Sequence, residues 1–199
     1  MMFQKKYLHK LNSSGITPLG FIFLAACGGG GTNTGIGGTS GGGTSGGRTS
    51  GGGGYNVTGS VIKGPLSNSL VGLDYNNDGS VTGAEPIVRT DSEGNYTLPS
   101  NNSSYTVIAT TDDTTVDTFS GSVLSGVTLK SPQDAKFVTP TTTLMVEANL
   151  SADQVASVLG LPDGVDPLIF NPYDPDADVD KALAVEKASY QIINVLTAF

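Results

Sequence analysis

From Gly28 to Gly54 the chain reads GGGGTNTGIGGTSGGGTSGGRTSGGGG, with 16 glycines in 27 residues and one isolated isoleucine. Glycine loses more backbone freedom on folding than any other residue, and a stretch with a single apolar side chain has almost nothing to bury in return. This segment cannot join a core, so the fold must be built from residues 55–199, room for one ordinary domain. The composition is that of a flexible tether with a root-mean-square reach of about 30 Å. A phosphate-cradling role for these glycines does not fit, because no strand precedes them and no helix follows.

Upstream, MMFQKKYLHK is basic, ITPLGFIFLAA is apolar, and the run ends at Cys27, the single cysteine of the chain. A basic start, a short apolar core and small residues before a cut site describe a secretory signal over residues 1–26, too short to span a membrane. Leu24-Ala25-Ala26-Cys27 resembles the lipobox of bacterial lipoproteins. The resemblance implies cleavage before Cys27, diacylation of its sulfur, a further acyl chain on its amine, and so a membrane partner held through lipid. Several chains, each burying methylenes at about 0.8 kcal/mol apiece, anchor a protein stably where one would not. The plainer alternative is an ordinary signal peptide with a chance cysteine, but a lone cysteine in an exported protein has no disulfide partner. Gly28 rather than aspartate follows Cys27, and by the same resemblance this addresses the protein to the outer membrane. From Cys27 onward seven Lys and Arg face all 18 acids, a net charge of −11. Such a surface repels nucleic acid and suits a surrounding rich in divalent cations.

Between residues 55 and 138, short runs rich in Val, Thr and Tyr alternate with Gly, Asn, Asp and Pro. YNVTGSVIK, SLVGLD, PIVRTD, NYTLP, SYTVIATT, TVDTF and GVTLK each read as a strand, and this spacing predicts a mainly β fold, an antiparallel sandwich. Asp91-Ser92-Glu93-Gly94 reads as the turn of a hairpin. Residues 139–199 switch to helix signals. Thr139-Pro140 is an N-cap followed by a first helical residue, opening PTTTLMVEA. Ser151 and Gln154 form a capping box with Leu150 and Val155 as its staple, and Gly160 and Pro162 end that helix. A third helix follows Asp180 with the apolar stripe Val185, Ala188, Ile192, Val195 and Phe199. The stripe runs into the chain end, which leaves open a truncated sequence or a partner surface upstream.

The stretch LDYNNDGSVTGAEP carries the chemistry. Counting from Asp74, the pattern D-x-[DN]-x-[DN]-G-x5-E is met by Asp74, Asn76, Asp78, Gly79 and Glu85 without a mismatch. Calcium is a hard cation that takes six to eight oxygens, so alternate residues of a tight loop must point inward, a glycine must permit the bend and a terminal carboxylate must close the shell. Asp74, Asn76 and Asp78 would supply side-chain oxygens, Ser80 its carbonyl, Thr82 an oxygen or a water, and Glu85 a bidentate carboxylate, with Val81 anchoring the loop in the core. Asp, Asn and Gly also make metal-free Asx turns, the plainer reading of the same residues. The flanks are β-like, and Pro86 follows Glu85 directly, so the helices of a calcium sensor are missing and the loop reads as a clamp.

The run VTGSVIKGPLSNSLVGLDYNNDGSVTGAEPIVRTDSEGNYTLP resembles the calcium-binding B-type repeats of collagen adhesins and related bacterial surface proteins. The resemblance implies an Ig-like or prealbumin-like β-sandwich in which the aspartate of the T-D pair, Asp91, approaches the ion. It extends more loosely through FVTPTTTLM and LGLPDGVDPLIFNPY. Some such relatives carry a Lys-Asn isopeptide crosslink; Lys63 lies on the first predicted strand, but no asparagine stands out near a last strand.

Two other acidic groups invite weighing. Asp174, Asp176, Asp178 and Asp180 alternate, which suits helix capping by Asp178 and Asp180 or a weak second cation site. Asp112, Asp113 and Asp117 read as a solvated loop. The one histidine, His9, falls in the signal and Cys27 is the lipid attachment point, so no mature His or Cys nucleophile system remains and the chain reads as no enzyme. Three functions follow. The first is a surface-displayed outer-membrane lipoprotein, an adhesion or scaffold module meeting an extracellular protein. The second is a calcium-dependent glycan- or ligand-binding module, with Tyr96 and Tyr105 as stacking faces in a chain that lacks tryptophan. The third is an accessory domain of a truncated secreted hydrolase.

Overall fold

The computed structural model describes residues 54–198; the signal, Cys27 and nearly all of the glycine-rich tether lie outside them. Ten strands and three helices occur among the described residues. Strand β1 (Tyr55–Val61) pairs antiparallel with β5 (Asn95–Ser100), opposing Val57 to Leu98. Along β5 alternate residues are buried, and Tyr96, Leu98 and Ser100 face inward. The second sheet has the order β4-β3-β6-β9, with β3 at Leu70–Asp74, β4 at Ile87–Arg89, β6 at Thr106–Thr110 and β9 at Thr128–Pro132. Its Val71, Leu73, Val107, Ala109 and Leu129 share one buried cluster with Val57, Val61, Tyr96 and Leu98 of the first sheet. The molecule is therefore a mainly β sandwich followed by helices. Burying each of these large side chains contributes about 1.5–3 kcal/mol against the chain's conformational entropy.

The predicted strands all appear, some much shortened: TVDTF retains only β7 (Val116–Asp117). Three two-residue strands had no signal of their own: β2 (Leu66–Ser67), β8 (Ser122–Val123) and β10 (Phe137–Val138). Strands β2, β7 and β8 form a small separate sheet, and β10 joins β1 as the one parallel pair among the described strands. Such short pairings are too brief to show a two-residue alternation, so periodicity cannot reveal them.

Helix α1 (Pro140–Ala148) starts where predicted, with Thr139 as N-cap and Thr142 completing the capping box. Its buried residues are Pro140, Thr141, Thr142, Thr143 and Met145, so much of the buried face is hydroxylated. The reason is strand β9, which is the edge of its sheet and needs partners for its outward backbone groups. The Lys130 N–H donates to Thr143 Oγ1 (2.9 Å), and the Thr142 hydroxyl donates to the Lys130 carbonyl (2.8 Å). Helix α2 (Ala152–Val158) has the Ser151 and Gln154 capping box in place, and Gly160 follows at positive φ. Helix α3 (Val179–Leu196) begins two residues earlier than predicted, because Asp178 rather than Asp180 is its cap, accepting from the N–H groups of Asp180 and Lys181. Its buried face is Ala182, Val185, Ala188, Ser189 and Ile193, so the predicted stripe holds at Val185 and Ala188 and departs from the core after them. Ile193 enters the sandwich core, which turns Ile192 to a half-buried position and leaves Val195 60% exposed. Phe199 lies outside the described residues. No described helix is long and apolar enough to cross a membrane.

Thr142 is fully buried, and its hydroxyl also accepts from the Thr139 N–H at 2.8 Å. Thr142→Val keeps the shape, strands the Thr139 N–H and leaves the Lys130 carbonyl only the longer Thr143 hydroxyl bond (3.4 Å), so urea unfolding should report a loss of about 1–3 kcal/mol.

Candidate metal centre

Residues 75–86 connect β3 to β4. Asp74, the last residue of β3, is 1% exposed. Its Oδ2 accepts the Gly79 N–H at 2.9 Å, which bends the loop back on its start, and Gly79 makes that bend at a φ of 84°. Its Oδ1 is buried without a hydrogen-bond partner. A buried carboxylate oxygen left unpaired is costly, and such an atom calls for an explanation in the chemistry of its surroundings.

The other loop side chains turn on one another. Asn76 Oδ1 accepts from the Asp78 N–H (2.9 Å) and Asp78 Oδ1 from the Ser80 N–H (2.8 Å), two successive Asx turns. The Asn76 amide also donates to Asp78 Oδ2 at 2.9 Å. Glu85 closes the ring: its Oε1 accepts from the Tyr75 N–H and its Oε2 from the Thr82 N–H, both at 2.8 Å. Asn77 sits in the left-handed region at a φ of 56°, and its side-chain oxygen accepts from the Thr106 hydroxyl of β6 at 3.1 Å.

Among the described residues, no group of three or more His, Cys, Asp or Glu forms a metal cluster. The loop's three carboxylates, Asp74, Asp78 and Glu85, are therefore not drawn into one cluster, and Glu85 is engaged with the loop's own amides. The donor set as a whole is nonetheless all oxygen, with amide, hydroxyl and carbonyl groups beside the carboxylates. The unpartnered Asp74 Oδ1 lies at the first position of that set, so the residues fit a hard divalent ion.

Val81 holds the loop to β3 but not in the core as predicted: it is half-buried and outside the core cluster. A Cβ added to Gly72, in the middle of β3, would lie 2.4 Å from Val81 Cγ1. Val81 therefore lies directly on the β3 backbone, on the face opposite Val71 and Leu73. A glycine inside a strand was the available signal for such a close approach.

Asp91 is not brought to the loop. Antiparallel pairing puts Gly72 opposite Ile87 and Leu70 opposite Arg89, and the Thr90 N–H donates to the Ser69 carbonyl, so Asp91 lies at the far end of the ladder. There it accepts from the N–H groups of Asn95 (2.8 Å) and Glu93 (2.9 Å), making a turn but not the predicted hairpin, because β4 and β5 on either side of it belong to different sheets. The Asn95 N–H foremost lowers its pKa.

Asp117 does not belong to a solvated loop. It is buried in β7, where its Oδ1 accepts from the Phe119 and Ser120 N–H groups and its Oδ2 faces Lys63 Nζ at 3.6 Å. That Oδ2 is beyond hydrogen-bond reach of any donor, so the contact is an ion pair alone. Lys63 itself lies in the turn after β1 rather than on it. Asp112 is half-buried and pairs with Arg89 at 2.7 Å, which holds its carboxyl well below the usual range; Asp113 is exposed, as predicted. In the alternating group, Asp174 accepts from the Asp176 N–H and Asp178 caps α3, while Asp180 occupies its first turn. Tyr96 is 4% exposed, and its place in the core overturns its reading as a stacking face; burial pushes its hydroxyl pKa upward. Tyr105 is half-buried against the core beside Tyr75.

Gly72→Ala drives a methyl group into Val81, and denaturant unfolding should show a loss of about 1–3 kcal/mol. Val81→Ala in the same chain should restore part of it, since the clash lies with that side chain. The chain matches no protein-family model, no curated protein and no solved structure.

Proposed function

We propose that residues 74–85 are a calcium clamp inside the β-sandwich of a lipid-anchored surface protein, an adhesion or scaffold module of the bacterial outer membrane rather than an enzyme. The observation that carries the calcium reading is the buried, unpartnered Oδ1 of Asp74 at the first position of a complete ligand pattern. Asp74, Asn76 and Asp78 would bind through side-chain oxygens, Ser80 through its carbonyl, Thr82 through an oxygen or a water and Glu85 through its carboxylate. A carboxylate has about four lone-pair sites, so Glu85 can keep its bonds to Tyr75 and Thr82 while facing an ion.

The flanking elements are β3 and β4, both held in one sheet, so no helix pair is present to swing open. What binding changes is stability. An ion that binds the folded loop and not the unfolded chain stabilises the fold by mass action, about 1.4 kcal/mol at a tenfold excess over its dissociation constant. Extracellular modules bind in the range of about 10⁻⁴ to 10⁻³ M, matched to the medium in which an anchored and tethered domain would stand. Burial of Tyr96 removes one of the two stacking faces on which a glycan-binding reading rested.

In thermal scans of residues 55–199, millimolar calcium should raise the melting temperature, and Asp78→Ala or Glu85→Ala should abolish the rise. Equal melting temperatures in calcium and in chelator would overturn the clamp.

A further inference from the structure

Lys130 of β9 stands between the loop and helix α1. Register places Ile87, Gly72, Ile108 and Lys130 in one row across the sheet, so their side chains share one face. Val81 covers Gly72 on that face, and the loop therefore lies over the same surface from which Lys130 rises. Lys130 Nζ is 3.4 Å from the position a Cβ on Gly79 would take, at the centre of the loop. On its other side the same Nζ pairs with Glu147 Oε1 of α1 at 2.6 Å. The Lys130 side chain is 18% exposed and that of Glu147 is 51% exposed, so the ammonium is the more sheltered partner. The backbone from which it rises is held, because the Lys130 N–H and carbonyl are bonded to Thr143 and Thr142.

We propose that Lys130 is a built-in counter-ion that competes with a divalent cation for the loop, and that Glu147 is the positioning residue that holds it aside. The inference rests on the calcium reading of the loop. The loop bears the charges of Asp74, Asp78 and Glu85, three negative without an ion and one negative with calcium. An ammonium beside Gly79 is drawn toward the first state and released by the second. In this structure its partner is Glu147, the arrangement that leaves the loop open to the ion. The calcium affinity of the loop is thereby tied to the packing of α1 against β9, two segments separated from it in sequence.

The test is calorimetric titration of residues 55–199 with calcium chloride. Lys130→Gln should bind roughly three- to tenfold more tightly than the wild type, because a repelled charge is gone. Lys130→Arg should bind as the wild type does. Glu147→Gln should bind more weakly, since Lys130 then has only the loop to face. In the double variant Lys130→Gln/Glu147→Gln the cost of Glu147→Gln should shrink, because its effect passes through Lys130. A second readout needs no affinity: the ¹³Cε resonance of Lys130 should move when calcium is added. Wild-type protein that binds no calcium would remove the loop reading itself. Wild-type binding with unchanged or weaker binding by Lys130→Gln, in a variant whose circular dichroism matches the wild type, would overturn the role of Lys130 alone. Equal costs of Glu147→Gln with and without Lys130 would overturn the positioning role of Glu147.

Discussion

Strand β3 is covered on both faces, and the rest of the structure is arranged around that constraint. Val71 and Leu73 point into the core shared with the first sheet, while Gly72 accepts Val81 against its backbone on the opposite side. A strand buried on two faces in an antiparallel sheet is unusual, since one face of such a sheet commonly meets water. The second cover here is the chain's own β3–β4 connection folded back on the strand from which it left. The last residue of β3 is Asp74, so the double cover also takes a carboxylate out of water. One of its oxygens is satisfied by the Gly79 N–H, and the other is not.

The same face explains why the helical region is more than an appendage. β9 is an edge strand, and an edge leaves peptide groups that water, another chain or a covering element must satisfy. Helix α1 covers it with hydroxyls: Thr142 and Thr143 reach the Lys130 backbone, and Thr143 also donates to the Thr139 carbonyl at 2.7 Å. Helix α3 sends Ile193 into the sandwich core, and the segment before it is tied down by the Tyr173 hydroxyl donating to the Lys63 carbonyl at 2.8 Å. Phe119 meets Tyr173 edge to face nearby, with ring centres 5.0 Å apart. Residues after Phe137 thus complete the sandwich they follow.

Local signals carried a good part of the architecture. The caps at Thr139 and Ser151 were legible because a cap is a bond between residues three apart, and the Asp91 turn because its partners are Glu93 and Asn95. The loop's inner bonds, Asp74 to Gly79 and Glu85 to Thr82, follow from the same short spacing. The burial of Asp117, within a segment legible as a strand, was harder to see. Two residues show no alternation, and a short acidic segment gives the same signal whether it meets water or, as Asp117 does, the ammonium of Lys63.

By itself, the sequence determined the order of the longer strands and the helices, the caps at Thr139 and Ser151, the turn at Asp91 and the oxygen-rich spacing of residues 74–85, because these depend on contacts within a few residues. Tertiary structure alone decided which carboxylate lost its water, that Asp91 stands at the far end of the β3–β4 ladder, that Tyr96 is core, and that Ile193 rather than Val195 is buried on α3. It also brought Lys130 to Gly79 and Glu147, residues on three separate elements. Burial and charge pairing depend on which distant segment covers a given face, and no local pattern records that choice.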